Sequence, residues 1–156
     1  MMSTLANNRR ASFDFDLLES YEAGLVLSGQ EVKSAKGGHI NLSGAYVSLK
    51  TENGEIVPYL LGAHISAYRF AGVLVDYDPT RARKILLTKK EIKHLYGKTQ
   101  EKGLTLVPVK MYTKRSFVKL EFALARGKKK YDKRESIKRR EVDRQLRTLT
   151  KRSIKK

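Results

Sequence analysis

The chain has 156 residues, with 33 Lys and Arg against 16 Asp and Glu and a formal net charge of +17. So large a positive excess predicts a polyanionic partner, above all nucleic acid. The absence of Cys excludes disulfides, thiolate metal ligands and Cys nucleophiles. No apolar run approaches the ~18 residues of a membrane span, and Met1 to Arg10 has no hydrophobic stretch like that of a signal peptide, so a cytoplasmic protein is expected.

In chain order, residues 1–12 are polar and read as a loose arm. Phe13, Phe15 and Leu17 alternate with Asp14 and Asp16, the period-2 pattern of a half-buried strand. The pattern resumes at Tyr21 and runs to Leu27, which predicts a long strand kinked near Gly24. Ser28-Gly29-Gln30-Glu31 is a capping box, in which the Ser28 hydroxyl accepts from the Glu31 amide and the Glu31 carboxylate returns to Ser28. It opens a short helix over about 29–36 that stops at Gly37-Gly38.

Two strands follow, about Ala45–Lys50 and Glu55–Leu61, joined by Thr51-Glu52-Asn53-Gly54 with its Asn-Gly hairpin signal. Ala63–Tyr68 and Gly72–Asp76 are weaker strand candidates, and Asp78-Pro79 marks a loop. Arg81-Ala82-Arg83-Lys84 leads into Ile85-Leu86-Leu87. A second capping box, Thr88-Lys89-Lys90-Glu91, opens a helix with Ile92, Leu95 and Tyr96 on one face, closed by Gly97. Leu104–Tyr112 and Phe117–Ala125 read as an antiparallel pair, with Pro108 forcing an edge or a bulge. The sum is a mainly β chain. It predicts a small antiparallel barrel of about six strands with two or three short helices, for which the oligonucleotide-binding (OB) fold is one solution.

The barrel is expected to occupy residues 1–127 and a basic tail residues 128–156. From Gly127 onward there are 14 Lys and Arg against 4 Asp and Glu. Ile137, Val142, Leu146, Leu149 and Ile154 are too few to build a core, so the free tail is expected to be disordered. It has no Pro and is rich in helix formers, which predicts a helix once phosphates neutralise it.

No catalytic constellation emerges. Gly97-Lys98-Thr99 lacks the upstream Gly of a phosphate-binding loop and reads as a helix end. His39, His64 and His94 have no short metal-ligand spacing. Asp14 and Asp16 share a strand face in this reading and are either solvated or, in an enzyme, a magnesium site.

Several strings go beyond composition: Tyr21-Glu22-Ala23-Gly24-Leu25, Gly29-Gln30-Glu31-Val32-Lys33-Ser34, Asp78-Pro79-Thr80-Arg81-Ala82-Arg83-Lys84-Ile85-Leu86-Leu87, Leu104-Thr105-Leu106-Val107-Pro108 and Leu124-Ala125-Arg126-Gly127-Lys128-Lys129. With Tyr131-Asp132-Lys133-Arg134, the chain resembles the SmpB family of SsrA-binding proteins from Asn8 into the tail. The resemblance implies an OB-like barrel that binds the tRNA-like part of transfer-messenger RNA (SsrA), without enzymatic activity or cofactor, as a monomer. It implies delivery to stalled ribosomes for trans-translation, with the tail in the small-subunit decoding centre and the empty mRNA channel. Elongation factor Tu and alanyl-tRNA synthetase are implied as indirect partners through the RNA.

On the barrel, Asn8, Glu22, Leu86 and Lys119 match positions the family ties to RNA binding. Asn8 and Lys119 suit phosphate or 2′-hydroxyl contacts. Glu22 suits orienting Lys119 or a neighbouring Arg, or accepting from a base or 2′-hydroxyl. Leu86 is either a surface contact for base or ribose or part of the core. Arg9, Arg10, Lys33, Lys36, Arg81 and Arg83 are expected phosphate contacts, whereas Glu31 is explained by its capping box. In the tail, Gly127 reads as the hinge, followed by Lys128 and Lys129. Tyr131 is expected to stack on a ribosomal base, and Asp132, Lys133 and Arg134 match the family's functional triplet. Val142, Leu146 and Leu149 would line one side of the induced helix. The chain departs from the family pattern at Ser12 and Phe13, where a basic residue and then His are usual. Charge and barrel alone also fit a general OB-fold ribosome- or RNA-binding protein.

Overall fold

The computed structural model describes residues 2–72 and 76–154, with side chains of the last helix described at 133–135 and 137–149. Strand β1 (Ser3–Asn7) and helix α1 (Arg9–Asp14) precede the long β2 (Phe15–Leu25). Helix α2 (Gly29–Lys36) leads through β3 (Ile40–Asn41) to the hairpin of β4 (Tyr46–Glu52) and β5 (Glu55–Leu61). After β6 (His64–Ile65) come β7 (Arg83–Leu86) and α3 (Lys89–Thr99). A second hairpin, β8 (Leu104–Lys114) and β9 (Phe117–Gly127), is followed by α4 (Lys130–Ile154).

The antiparallel order β8-β4-β5-β7-β2-β9, with β9 returning to β8, closes six strands into a ring. This is the OB-like barrel read from the sequence. Strand β8 is its organiser. It pairs with β9 from Leu104 to Lys114, meets β4 at Leu106↔Val47, and lends residues 110–113 to β1.

Alternation decides what fills the ring. On β9, Val118, Leu120, Phe122 and Leu124 point inward and are buried. They meet Val47, Leu60, Ile85, Leu106 and Met111 from the other strands and Leu95 from α3. On the outer side of β8 and β9, Val107 and Ala125 are also buried, because Ala11 of α1 sits on them.

Both capping boxes form, at Ser28/Glu31 and Thr88/Glu91. The Asn53-Gly54 turn has both residues left-handed (φ 49° and 80°), as a two-residue hairpin of this kind requires. Pro108 coincides with a bulge between Pro108 and Lys110.

Elsewhere the structure corrects the pattern. The polar N-terminus is not a loose arm: β1 takes the edge that β8 leaves beyond its pairing with β4. Phe13 and Asp14 end α1 rather than opening a strand, so Asp14 and Asp16 do not share a strand face. The irregularity in β2 falls between Leu17 and Glu19, not at Gly24. Helix α3 runs through Gly97 to Thr99. The Ala63–Tyr68 candidate shrinks to β6, and the 72–76 candidate lies largely outside the described residues, at 73–75.

One buried ion pair fixes the site-bearing strand β7. Arg83 has no exposed surface and Glu31 is 1 % exposed. Arg83 Nε donates to Glu31 Oε2 at 2.7 Å, while its two terminal nitrogens donate to the carbonyls of Ala63 (2.7 Å) and Pro79 (3.0 Å). Glu31 also accepts from Arg81 and from the Ser28 N–H at 2.9 Å. Burial by itself raises the Glu31 carboxyl, but the Ser28 N–H and the two guanidiniums outweigh it and hold Glu31 below the usual carboxylate range.

Its depressed folded value means that Glu31 contributes stability that is fully present above the unfolded carboxyl value of about 4.3 and is lost below it, as pH falls through the lower folded value. Arg83→Met alone leaves a buried carboxylate without its main partner and is expected to cost about 3–5 kcal/mol in urea denaturation. Glu31→Met/Arg83→Met should recover part of that loss and flatten the acid limb of the stability–pH curve. A double variant as unstable as the single, with an unchanged acid limb, would show that the pair is not the acid-sensitive contact.

Candidate nucleic-acid interface

Register builds a row of side chains across the outside of the barrel. Tyr112 on β8 opposes Lys119 on β9, Lys119 opposes Gly24 on β2, and Gly24 opposes Leu86 on β7. Directly opposed residues share a face, so these four form one line across four strands. Gly24 adds no side chain, and a Cβ there would meet Leu86 Cδ1 at 3.4 Å. The Leu86 side chain therefore lies against the bare backbone of Gly24, with Lys119 on the far flank. Leu86 is 53 % exposed, which settles the alternative left by the sequence: it is a surface residue, not core.

Beside it runs a second row, Lys110, Glu121 and Glu22. Glu22 accepts from the Tyr112 hydroxyl and from Lys114 Nζ at 3.2 Å. These two bonds, Tyr112 first, hold the Glu22 carboxyl below its ordinary range, while burial and then the bond to Glu22 push the Tyr112 phenol well up. Lys110 pairs with Glu121 at 3.5 Å and lies 5.4 Å from the Tyr112 ring centre. Glu22 thus bonds Tyr112 and Lys114 rather than the Lys119 or neighbouring Arg expected from sequence. Among the described residues Lys119 takes no ion pair at contact distance, although its charge helps to hold the Glu22 carboxyl down. Sequence reasoning missed Lys110, Tyr112 and Lys114, although their period-2 spacing on one strand, with Tyr112 opposite Lys119, carries the signal.

The remaining barrel candidates divide by burial. Asn8 is 9 % exposed; its backbone N–H donates to Val109 O at 2.7 Å and its Nδ2 to Pro108 O at 2.9 Å. Its Nδ2 grips a carbonyl at the bulge, while its buried Oδ1 has no hydrogen-bond partner among the described residues. Arg83 is likewise committed to Glu31 and two carbonyls and reaches no phosphate, a correction to the sequence reading. Arg9 and Lys36 are exposed. Arg10 is exposed and pairs with Asp14 at 3.4 Å; Arg81 is half-exposed and tied to Glu31. Lys33 lies 5.4 Å from the Tyr68 ring centre.

At the tail, Gly127 ends β9 opposite Phe15, and the next N–H, that of Lys128, donates to Asp14 O at 2.9 Å. Lys133 Nζ reaches Asp14 Oδ1 at 3.3 Å, and the Arg140 guanidinium lies 5.4 Å from the Phe13 ring centre. Residues 133 and 140 are two helical turns apart, so one face of α4 meets α1. Lys129 and Arg134 are exposed, as are Val142, Leu146 and Leu149, which are 53–60 % accessible. The side chains of Tyr131 and Asp132 lie outside those described.

A closed barrel whose outer face carries Lys110, Lys114 and Lys119 around the buried Tyr112 and an exposed Leu86, joined to a helix of net positive charge, defines a nucleic-acid-binding barrel protein. Comparison narrows the class. The SmpB protein family model matches residues 5–152, and the chain belongs to the SmpB family. It is 48 % identical over 149 residues to the SsrA-binding protein of Ligilactobacillus salivarius, covering 96 % of this chain and 93 % of that one. The SsrA-binding protein of Syntrophobacter fumaroxidans is 50 % identical over 148 residues, covering 95 % and 89 %. A solved chain described as "tmRNA-SmpB: a journey to the center of the bacterial ribosome" superposes with a TM-score of 0.64 at 42 % identity, over 85 % of this chain and 93 % of that one.

The exposure of Leu86 carries a direct test. Leu86→Ala is expected to change stability by less than about 1 kcal/mol, as exposed sites do. Leu120→Ala, on the buried face two strands away, should cost about 2–5 kcal/mol. Equal losses in chemical denaturation would return Leu86 to the core.

Proposed function

We propose that this chain is a non-enzymatic RNA adaptor of trans-translation. Its barrel holds the tRNA-like domain of transfer-messenger RNA, and its tail enters the decoding centre and empty mRNA channel of a stalled ribosome in the cytoplasm. The observation that carries the reading is the Tyr112–Lys119–Gly24–Leu86 row with Glu22 beside it. Lys119 offers a cation to phosphate, and Leu86, lying against Gly24, offers an apolar surface to a base or ribose. Shape, phosphate and 2′-hydroxyl recognition of this kind suits a folded RNA better than a base sequence. Arg9, Arg10, Lys33 and Lys36 extend the phosphate contacts.

The tail acts separately. Residues 128–156 form a module whose helix is held when phosphates neutralise its charge and something covers Val142, Leu146 and Leu149. Tyr131 stacks on a ribosomal base, and Asp132, Lys133 and Arg134 read the decoding centre after Lys133 leaves Asp14. Circular dichroism of the full chain minus a chain ending at Gly127 should show coil without RNA; a stable helix in the difference spectrum would refute coupled folding.

Division of labour gives the second test. Lys119→Ala should weaken binding of tRNA-like-domain RNA about tenfold, the scale of one lost charge-assisted contact. Charge reversal at Asp132-Lys133-Arg134 should leave that affinity within about twofold while abolishing peptide tagging. A large fall in affinity on tail reversal would make the tail an RNA anchor. Equal binding of tRNA-like-domain RNA, ordinary tRNA and single-stranded RNA, falling together with salt, would instead mean a general basic binder.

A further inference from the structure

Leu86 belongs to two features at once. Besides flanking the outer row, it lines a groove of about 530 Å³ between β5, β7 and α3. Ile56 of β5 and Ile92 and Tyr96 of α3 provide further apolar lining. Lys84, Lys89 and Lys93 also line it, all three exposed, against a single acid, Glu55. Tyr96 keeps 40 % of its surface accessible. An apolar floor ringed by three cations is matched by a ligand with a flat, weakly polar body and anionic links at its ends.

We propose that this groove is a nucleotide site that prolongs the RNA face beyond Leu86. One unpaired base lies against Ile92, Tyr96 and Leu86, and its flanking phosphates rest on Lys84, Lys89 and Lys93. The inference rests on the reading of the barrel face as RNA-binding and adds to it a contact to an unpaired residue. The volume falls within the ~300–1,000 Å³ of sites for single small ligands. Apolar and aromatic lining recognises a base by its face and tolerates any of the four, as single-stranded sites do. Continuity with Leu86 favours RNA over an acidic peptide: a strand leaving the Lys119–Leu86 row toward α3 passes directly into the groove. The capping box at Thr88 fixes the start of α3, so Lys89, Ile92, Lys93 and Tyr96 are held on a rigid element rather than a loop.

The chain contains no Trp, so Tyr96→Trp makes the groove its own reporter. With the full chain and tRNA-like-domain RNA, the indole should be quenched on saturation. Lys89→Ala/Lys93→Ala should weaken binding and reduce the log–log salt slope by roughly 1.4–1.8, the share of two phosphates. Unchanged fluorescence and slope, while Lys119→Ala still weakens binding, would overturn the groove and leave the barrel face standing. If Lys119→Ala also has no effect, the barrel-face reading fails and takes the groove with it. Quenching by poly-glutamate but not by RNA would assign the groove to an acidic protein instead and overturn the proposal.

Discussion

The Arg83–Glu31 pair is the constraint on which the outer face depends. Strand β7 is four residues long and shares only two residue pairs with each neighbour, Gly24↔Leu86 and Leu25↔Ile85 on one side, Tyr59↔Lys84 and Leu60↔Arg83 on the other. So short a ladder specifies register weakly, and a slip of one residue would exchange the two faces of the strand. Arg83 removes that freedom. Its guanidinium is bound on three sides, by a carboxylate on α2 and by carbonyls after β5 and before β7, so only one phase of the strand satisfies it. With Arg83 and Ile85 inward, Lys84 and Leu86 must face out. Replacing a buried ion pair by apolar residues often costs little net stability. What this pair supplies is the position of Leu86.

The same pair shows that the positive charge is not one population. Arg81 and Arg83 sit in a string that reads as a phosphate-binding run, yet one is entirely interior and the other leans on the same carboxylate. Lys110 and Lys114 are balanced by Glu121 and Glu22, which orient them without leaving a strong local field. Among the described residues of the barrel, the cations with no such partner at contact distance, Lys119 foremost, are the ones with most to gain from an added anion. A net charge of +17 therefore overstates the number of groups free to bind, and the outer row matters more than the total.

What the sequence revealed of the fold was whatever local chemistry dictates. Two capping boxes, an Asn-Gly turn and a proline bulge each depend on atoms within a few residues, and all four formed where the residues stand. Features that depend on distant partners stayed hidden. Strand β1 is polar and short of apolar alternation; it exists because β8 offers a vacant edge 100 residues away. Arg115-Ser116 turns the last hairpin with both residues left-handed (φ 50° and 70°) and no glycine, held there by the long β8–β9 ladder. Asn8 and Arg83 look like surface polar residues until the bulge and the α2 carboxylate that claim them are in place. For the site, Lys119, Glu22 and Leu86 were named from resemblance. Their grouping into one row required register, which no single segment contains.

The departure at Ser12 and Phe13 gains a physical sense at the junction of barrel and tail. Asp14 is a hub: its carboxylate takes Arg10 and Lys133, and its carbonyl takes the first N–H after β9. Phe13 beside it offers the face of its ring to Arg140, two turns along α4 from Lys133. An imidazole in that place would change charge between about pH 5 and 8 and, once protonated, would repel Arg140. A phenyl ring attracts the guanidinium at every pH, by roughly 0.5–1 kcal/mol at an exposed site. Ser12 withholds a further positive charge from the same short helix. The junction of this chain is thus held by one carboxylate and one ring, and Asp14 with Lys133 is its salt-sensitive half.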